Sequence, residues 1–302
     1  MTERIRVGTR RSALARAQTD LVLARLARLD PNTRFEATHV DTSGDRDRTL
    51  GTSPDFTDTI DRALLRGEVD LAVHSAKDLP AMLDRRFEIL ACPRRGDPRD
   101  CLVVARHLSA RELPRGARVG SSSLRRRAQL LRWRPDLRVV EIRGNVDTRI
   151  DLVRAGRLDA VILAVAGVSR LGRASEVGRI LPSSTFLPAP AQGALAVVGA
   201  RGDAALRALV HRLDHPATHS CVIAERSFAA ALGGDCHVPL GALATLRAGR
   251  LSLSGELLTP DGSKSLREVR VAAESAAHRL GSALGKTMID HGALGLAPAR
   301  RR

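Results

Sequence analysis

Short apolar runs alternate with amphipathic stretches from the N-terminus to about residue 200. "IRVGT" reads as a strand, and "SALARAQTDLVLARLARL" follows it with Leu14, Ala17, Leu21 and Ala24 at helical spacing. Then come "FEATHV" as a strand, "FTDTIDRALLRG" as a helix with a glycine stop, and "VDLAVHS" and "FEILACP" as strands. Beyond "PRRGDPRDC" a second set begins, with strands in "CLVVA", "ARVG", "RVVEI" and "DAVILAVA" and helices in "SLRRRAQLLRW" and "NVDTRIDLVRAG". Such alternation predicts two α/β lobes, each with a largely parallel sheet. After "LPAPAQGALAVVG" the pattern shifts to a helix in "PATHSCVIAERSFAAAL", alternating strands in "LSLSGELL" and "SLREVRVAA", and a final helix. That set predicts a smaller α+β domain at the C-terminal end.

The two lobes rhyme. "VGTRRSALA" and "VGSSSLRRRAQL" each run strand, glycine, hydroxyl residues, helix, so that a Ser or Thr caps a helix whose backbone N–H groups favour an anion. Around the second of these, Arg125, Arg126 and Arg127 gather with Arg143 and Arg149 of "RGNVDTR". Guanidinium forks suit carboxylates and phosphates, so the expected ligand has several anionic groups. Three consecutive arginines cannot point the same way from a helix, and at least one must face elsewhere. Arg132 and Arg134 read as a solvated charged face. In "VDLAVHSAKDLP" a buried-looking strand empties into Lys77 and Asp78, at the kind of strand end where α/β sheets bind ligands.

Composition narrows the partners. The 302 residues carry a net charge of +16, with 43% hydrophobic and 27% charged residues, as in a soluble globular protein. Aromatic residues make up only 2% of the chain, with no Tyr, so stacking platforms for single-stranded nucleic acid are scarce and no nucleic-acid partner is expected. The longest apolar run, "AVILAVAGV", is too short to cross a bilayer and "MTERIRVGTRR" lacks the apolar core of a leader, so a cytoplasmic protein with no membrane partner is expected. No phosphate loop, dinucleotide fingerprint or nucleophile elbow is present. His211, His215 and His219 fall at helical spacing, but Pro216 interrupts them and they read as surface histidines, with no metal implied. Cys92, Cys101 and Cys221 lie in apolar or helical runs and read as buried thiols, whereas Cys236, in "ALGGDCHVPLG", lies in a loop. As residue types, a Cys beside a His leaves a nucleophile, a ligand pair, an attachment point and a plain thiol all open.

Taken together and in order, "VGTRRS", "DTSGD", "AVHSAKDLP", "DPRDC", "VGSSSLRR", "RGNVDTR", "DAVILAVAGVSRLG", "LPAPAQGALAV" and "GGDCHVPLG" resemble the hydroxymethylbilane synthase, or porphobilinogen deaminase, family over nearly the whole chain. The resemblance implies a three-domain enzyme whose first two lobes are like type II periplasmic-binding proteins, with the active cleft between them. It sets the domains at 1–94 with 194–214, at 99–190 and at 216–302. It implies a transferase of tetrapyrrole and heme biosynthesis that joins four porphobilinogen molecules head to tail, releases ammonia at each addition and frees hydroxymethylbilane by hydrolysis. The work is done on a dipyrromethane cofactor held by a thioether, which here falls on Cys236. Asp78 matches the catalytic aspartate. Lys77, Ser123, Arg125, Arg126 and Arg143 match cofactor-binding positions, and Arg10, Ser12, Arg149, Phe56 and Gln192 complete the substrate-binding set. A monomer is expected.

Three departures stand out. The segment over residues 46–60 is shorter than usual and keeps Phe56, but it offers Asp55 and Asp58, with Asp61 just beyond, where the family has lysines. Asp235 and Ala191 stand where glycine is common. The altered segment favours one alternative, a non-catalytic two-lobe homologue that binds anions.

Overall fold

In the computed structural model the described residues are 4–40, 58–105, 113–233 and 238–296. They form two compact units, Met1–Gly96 with Ala194–His219, and Asp97–Gly193 with Ser220–Arg302.

The first unit contains β1 (Arg4–Thr9), α1 (Ala13–Leu29), β2 (Arg34–His39), α2 (Asp58–Leu65), β3 (Leu71–Ser75) and β4 (Phe87–Ala91). Its sheet runs in the order β2-β1-β3-β10-β4, where β10 is Leu195–Ala200, and α6 (Ala204–His211) follows. β1 pairs in parallel with β2 and β3, while β10 is antiparallel to both β3 and β4. Val22 and Leu26 of α1 and Val210 of α6 close one face of the sheet over Val7, Leu71, Val73 and Val197. Removing these side chains from water is the main term holding the lobe together.

The second unit holds β5 (Asp100–Val104), β6 (Arg118–Gly120), α3 (Leu124–Trp133), β7 (Arg138–Val140), α4 (Val146–Arg154), β8 (Ala160–Ala164), α5 (Val165–Arg170) and β9 (Val177–Ile180). Its sheet order, β7-β6-β8-β5-β9, repeats the first strand for strand, with β5 in the antiparallel place of β10. The two sheets are therefore mixed rather than largely parallel. β5 and β10 are each the first strand laid down after the chain passes from one unit to the other, so no right-handed crossover helix dictates a parallel pairing.

α7 (Pro216–Ala231) begins at the end of the first unit and enters the second at Ser220; the second also contains the antiparallel sheet β11 (Leu240–Arg247), β12 (Arg250–Leu258) and β13 (Ser265–Ala273), and α8 (Ala277–Asp290). Phe228, Leu253, Leu257, Leu280 and Leu284 form its core. β12 and β13 fall where the alternation places them. Two α/β lobes plus a smaller α+β portion are thus the observed fold class. No helix among the described residues is long and apolar enough to cross a membrane.

Pro216 does not break a helix but opens one, at the first-turn position where its missing N–H costs nothing. His215 caps that helix by accepting the Thr218 N–H on Nδ1 (3.2 Å), and His219 pairs with Asp214 (2.9 Å). These two histidines are half-buried structural groups, a correction to the surface reading. Only His211 is exposed.

Candidate functional site

In the first unit, β1 ends at Thr9 and Ser12 caps α1, its hydroxyl accepting the Ala15 N–H at 3.3 Å. On the neighbouring strand β3 passes into a single tight turn, Ala76–Asp78, which Leu79–Pro80 prevents from lengthening. The two strand ends form a pocket of about 50 Å³ lined by Arg10, Ser12, Gln18, His74, Ser75 and Asp78 together with apolar neighbours. Asp78 is exposed in it and Lys77, just before it in the turn, is half-buried and does not line it. Gln18 Nε2 donates to Ser75 Oγ at 2.8 Å.

His74 is buried, and its Nε2 has no hydrogen-bond partner among the described residues. Burial, with the Arg10 cation adding to it, pushes its imidazole down to about 4, so the ring is neutral at pH 7. Sequence reasoning passed over His74 and Gln18. Their signal was a polar residue set into an apolar strand or helix face, which in both cases belongs to the pocket wall.

In the second unit, Ser123 caps α3 as Ser12 caps α1, accepting the Arg126 N–H at 3.4 Å. Of the three arginines that follow, Arg127 is exposed and turns to the Val139 carbonyl. Arg125 and Arg126 are only 4% and 6% exposed and share one carboxylate, that of the fully buried Asp100. Arg125 Nη1 lies 2.8 Å from Asp100 Oδ2 and also donates to Gln129 Oε1 and the Leu187 carbonyl, both at 2.9 Å. Arg126 Nη2 donates to Asp100 Oδ1 at 2.7 Å. Gln192 completes this cluster, donating to Asp100 Oδ1 (2.9 Å) and to the Pro98 carbonyl (2.6 Å). Burial alone would raise the Asp100 carboxyl, but the Arg125 and Arg126 guanidiniums hold it well below the usual carboxylate range. Burial pulls Arg125 down from the usual arginine value, with Asp100 opposing.

Two buried cations on one carboxylate leave an excess positive charge at the N-terminus of α3, where the helix dipole adds to it. Arg149 closes on the same loop, its guanidinium donating to Ser122 Oγ (3.0 Å) and to the Gly144 carbonyl (2.8 Å). Arg143 lies 3.5 Å from Glu141. Among the described residues the Nε atoms of Arg125 and Arg143 are buried with no hydrogen-bond partner, two donors left to be satisfied. Of the expected arginines, Arg125 and Arg126 come together on Asp100 with Arg149 on the adjoining loop, a donor set whose chemistry fits a polycarboxylate group.

Asp100 was missed in the sequence. Its signal was an acid opening the apolar run "DCLVV". Arg132 and Arg134 are not a solvated face: Arg132 bonds Glu256 and the Thr185 carbonyl, and Arg134 bonds Asp136 and the Leu113 carbonyl, which is another correction. Cys92, Cys101 and Cys221 are buried, as expected. Ala191, in the place where glycine is common, adopts φ +59, a left-handed conformation that explains the usual residue. Cys236, Asp235 and Phe56 lie outside the described residues.

Comparison with known proteins bears on the same residues. The family model for the porphobilinogen deaminase, dipyromethane cofactor binding domain matches residues 5–208, and that for the porphobilinogen deaminase C-terminal domain matches 219–290. The porphobilinogen deaminase of Roseiflexus castenholzii is 42% identical over 97% of this chain and 98% of its own. That of Thermus thermophilus is 43% identical over 95% of each chain, and that of Chromobacterium violaceum is 43% identical over 98% of each. Among solved structures, the periplasmic VFT2 domain of Bordetella pertussis BvgS is similar over 70% of this chain and 86% of its own, with 18% identity and a TM-score of 0.43. The aliphatic sulphonate binding protein SsuA of Escherichia coli covers 76% of this chain and 71% of its own, with 14% identity and a TM-score of 0.41. With two family models end to end along the chain and relatives more than 40% identical over nearly all of it, the chain belongs to the porphobilinogen deaminase family.

Proposed function

We propose that Asp78 is the catalytic acid of this chain and that the arginines around α3 receive the carboxylates of cofactor and substrate. The family's reaction is hydroxymethylbilane synthesis: porphobilinogen units are joined head to tail, one ammonia leaving at each addition. The observation that carries the assignment is the pocket in which Asp78 stands exposed beside Arg10 and the capped start of α1.

When the aminomethyl C–N bond of porphobilinogen breaks, ammonia departs and the pyrrole is left as an electron-poor azafulvenium. A carboxylate close to the pyrrole nitrogens stabilises that cation, and it can hold the proton that moves as the new C–C bond restores the aromatic ring. Asp78 has the charge and exposure for this. His74, neutral beside it in the pocket wall, adds no positive charge to oppose the cation.

Each porphobilinogen brings an acetate and a propionate, so the growing chain is a polyanion. In our reading Ser123, Arg125, Arg126 and Arg143 hold cofactor carboxylates with Lys77, while Arg10, Ser12, Arg149 and Phe56 serve the substrate directly and the buried Gln192 does so only through Arg126. Gln192 and Asp100 act by orienting Arg126. The dipyrromethane is attached through Cys236 and supplies the nucleophilic pyrrole on which elongation starts.

Further parts of the reading are a three-domain division at 1–94 with 194–214, 99–190 and 216–302, a monomer acting in the cytoplasm, and no nucleic-acid partner. The purely binding alternative loses ground to relatives that bear the enzyme's name over nearly the whole chain. The test is turnover: purified protein supplied with porphobilinogen should release ammonia and accumulate a linear tetrapyrrole that on standing loses water and cyclises to uroporphyrinogen, which air then oxidises to the coloured uroporphyrin. Absence of both from folded protein carrying its cofactor would overturn the reading.

A further inference from the structure

The buried network does not end at the arginines. Gln129, one turn after Arg125 on α3 and fully buried, accepts from Arg125 on Oε1. Its amide nitrogen donates to the Leu187 carbonyl and to Glu256 Oε2, each at 3.0 Å. Glu256 lies on β12, only 1% exposed, and its other oxygen takes Arg132 Nη1 at 2.8 Å. A carboxylate is costly to bury, and one held in a sheet by two side chains from a facing helix fixes that helix in register and rotation. The hairpin between β12 and β13 reinforces the seat. Gly262, at φ +73, lies so close to α3 that a Cβ there would stand 2.2 Å from the Ala128 carbonyl oxygen and 2.9 Å from the Arg132 nitrogen.

Among these groups only Gln129 touches both ends. It is bonded on one side to the Arg125 guanidinium and on the other to the carboxylate in the C-terminal sheet. Arg132 shares Glu256 but has no contact with Arg125. The amide is also the one group that suits both neighbours, because it must accept from a cation and donate to an anion.

We propose that Gln129 and Glu256 are positioning residues: β12 sets the rotamer of Arg125 through the Gln129 amide, and so the C-terminal sheet fixes the geometry of the anion site on α3. The inference rests on the reading that Arg125 and Arg126 receive carboxylates. It adds that this site is not made by the second lobe alone. The sheet that follows Cys236 in the chain also holds the helix that receives the charged arms of the group Cys236 carries.

The test uses the full chain, with three readouts for each variant: the fraction carrying the two-pyrrole adduct by intact mass, KM and kcat for porphobilinogen, and Tm. Gln129→Leu should lower the loaded fraction, or raise KM by about fivefold for the lost orienting hydrogen bond, with kcat little changed. Arg132→Leu also breaks a bond to Glu256 and should lower Tm at least as much, yet leave loading and KM as in the parent. An effect on KM from Arg132→Leu equal to that of Gln129→Leu would reduce the relay to general stability and overturn it.

The exchange Gln129→Glu with Glu256→Gln keeps the net charge and restores the bonds to Arg125, Arg132 and between the two residues. It should recover the parent KM where Glu256→Gln alone does not, and failure to recover contradicts the proposal even if Gln129→Leu does not fold. Arg125→Leu separates the two levels. If it leaves loading and KM intact, the anion-site reading itself fails; if it impairs both while Gln129→Leu impairs neither, only the relay fails.

Discussion

The two α/β lobes share a strand order and a local design, yet they use it differently. In each, a strand with a glycine at or next to its end leads through a short turn to a serine-capped helix, Ser12 on α1 and Ser123 on α3. The first lobe leaves a pocket there, with the Asp78 carboxylate exposed in it. The second buries its two key arginines against Asp100 and ties them to Gln129 and Gln192. The difference lies in what the opposing strand supplies. β5 begins with a buried acid under α3, whereas β10, its counterpart in the first lobe, runs Leu195–Ala200 with no charge. On the proposed reading, one scaffold thus provides a reacting group open to substrate in one lobe, and a rigid, charged platform in the other. Rigidity is what an anion platform needs, since donors fixed in advance lose no order when the ligand arrives.

Removing the buried acid should have the largest effect. Asp100→Ala leaves two guanidiniums buried on no carboxylate and should cost about 4 kcal/mol, a fall in Tm of about 10 °C. Thermal unfolding followed by circular dichroism measures it, and a Tm within about 2 °C of the parent would show that the arginines do not depend on Asp100. Asp78→Asn sharpens the contrast because it should do the opposite. Tm should be nearly unchanged, as for most exposed substitutions, while kcat falls by about a hundredfold or more with the cofactor still attached. A loss of stability with intact turnover would reverse the roles assigned to the two lobes.

His74 gives the first lobe a pH signature. Its folded value is about 4 against an ordinary 6.5, so the unfolded chain binds the extra proton between those values and stability falls as pH falls. The contribution is fully present above about pH 6.5, and about 2 kcal/mol of it should be gone by pH 5. Urea titrations at pH 7.5 and pH 5 on the parent and on His74→Leu check this. The variant should lack that part of the slope, and identical slopes would mean that the imidazole is not held neutral by the fold. The smallest effect is expected at Ala191, in the second unit. Ala191→Gly relieves a left-handed backbone and should stabilise by up to about 1 kcal/mol, read as a modest rise in the urea midpoint.

Much of this was legible in the residues. "SLREVRVAA" alternates and forms β13, and "SLRRRAQLLRW" carries its own cap and forms α3. β10 went unassigned because "LAVVGA" is apolar throughout, buried on both faces, and has no period to read. The short β9 and the small-residue strand β11 were missed for want of the same contrast. In the site, the motifs singled out the arginines, but not that Asp100, Gln129 and Glu256 hold them. Those partners are 25, 4 and more than 100 residues away from Arg125 in sequence. Charge pairing over the longer of these distances leaves no periodic trace. The same blindness misread Arg132, whose counter-charge comes from β12.

The most direct measurement is the intact mass of the purified, denatured protein after exposure to hydroxymethylbilane or porphobilinogen, with peptide mapping across residues 231–241. The account predicts an added mass of two linked pyrrole units, localised to Cys236. Folded protein in which Cys236 stays unmodified would contradict it.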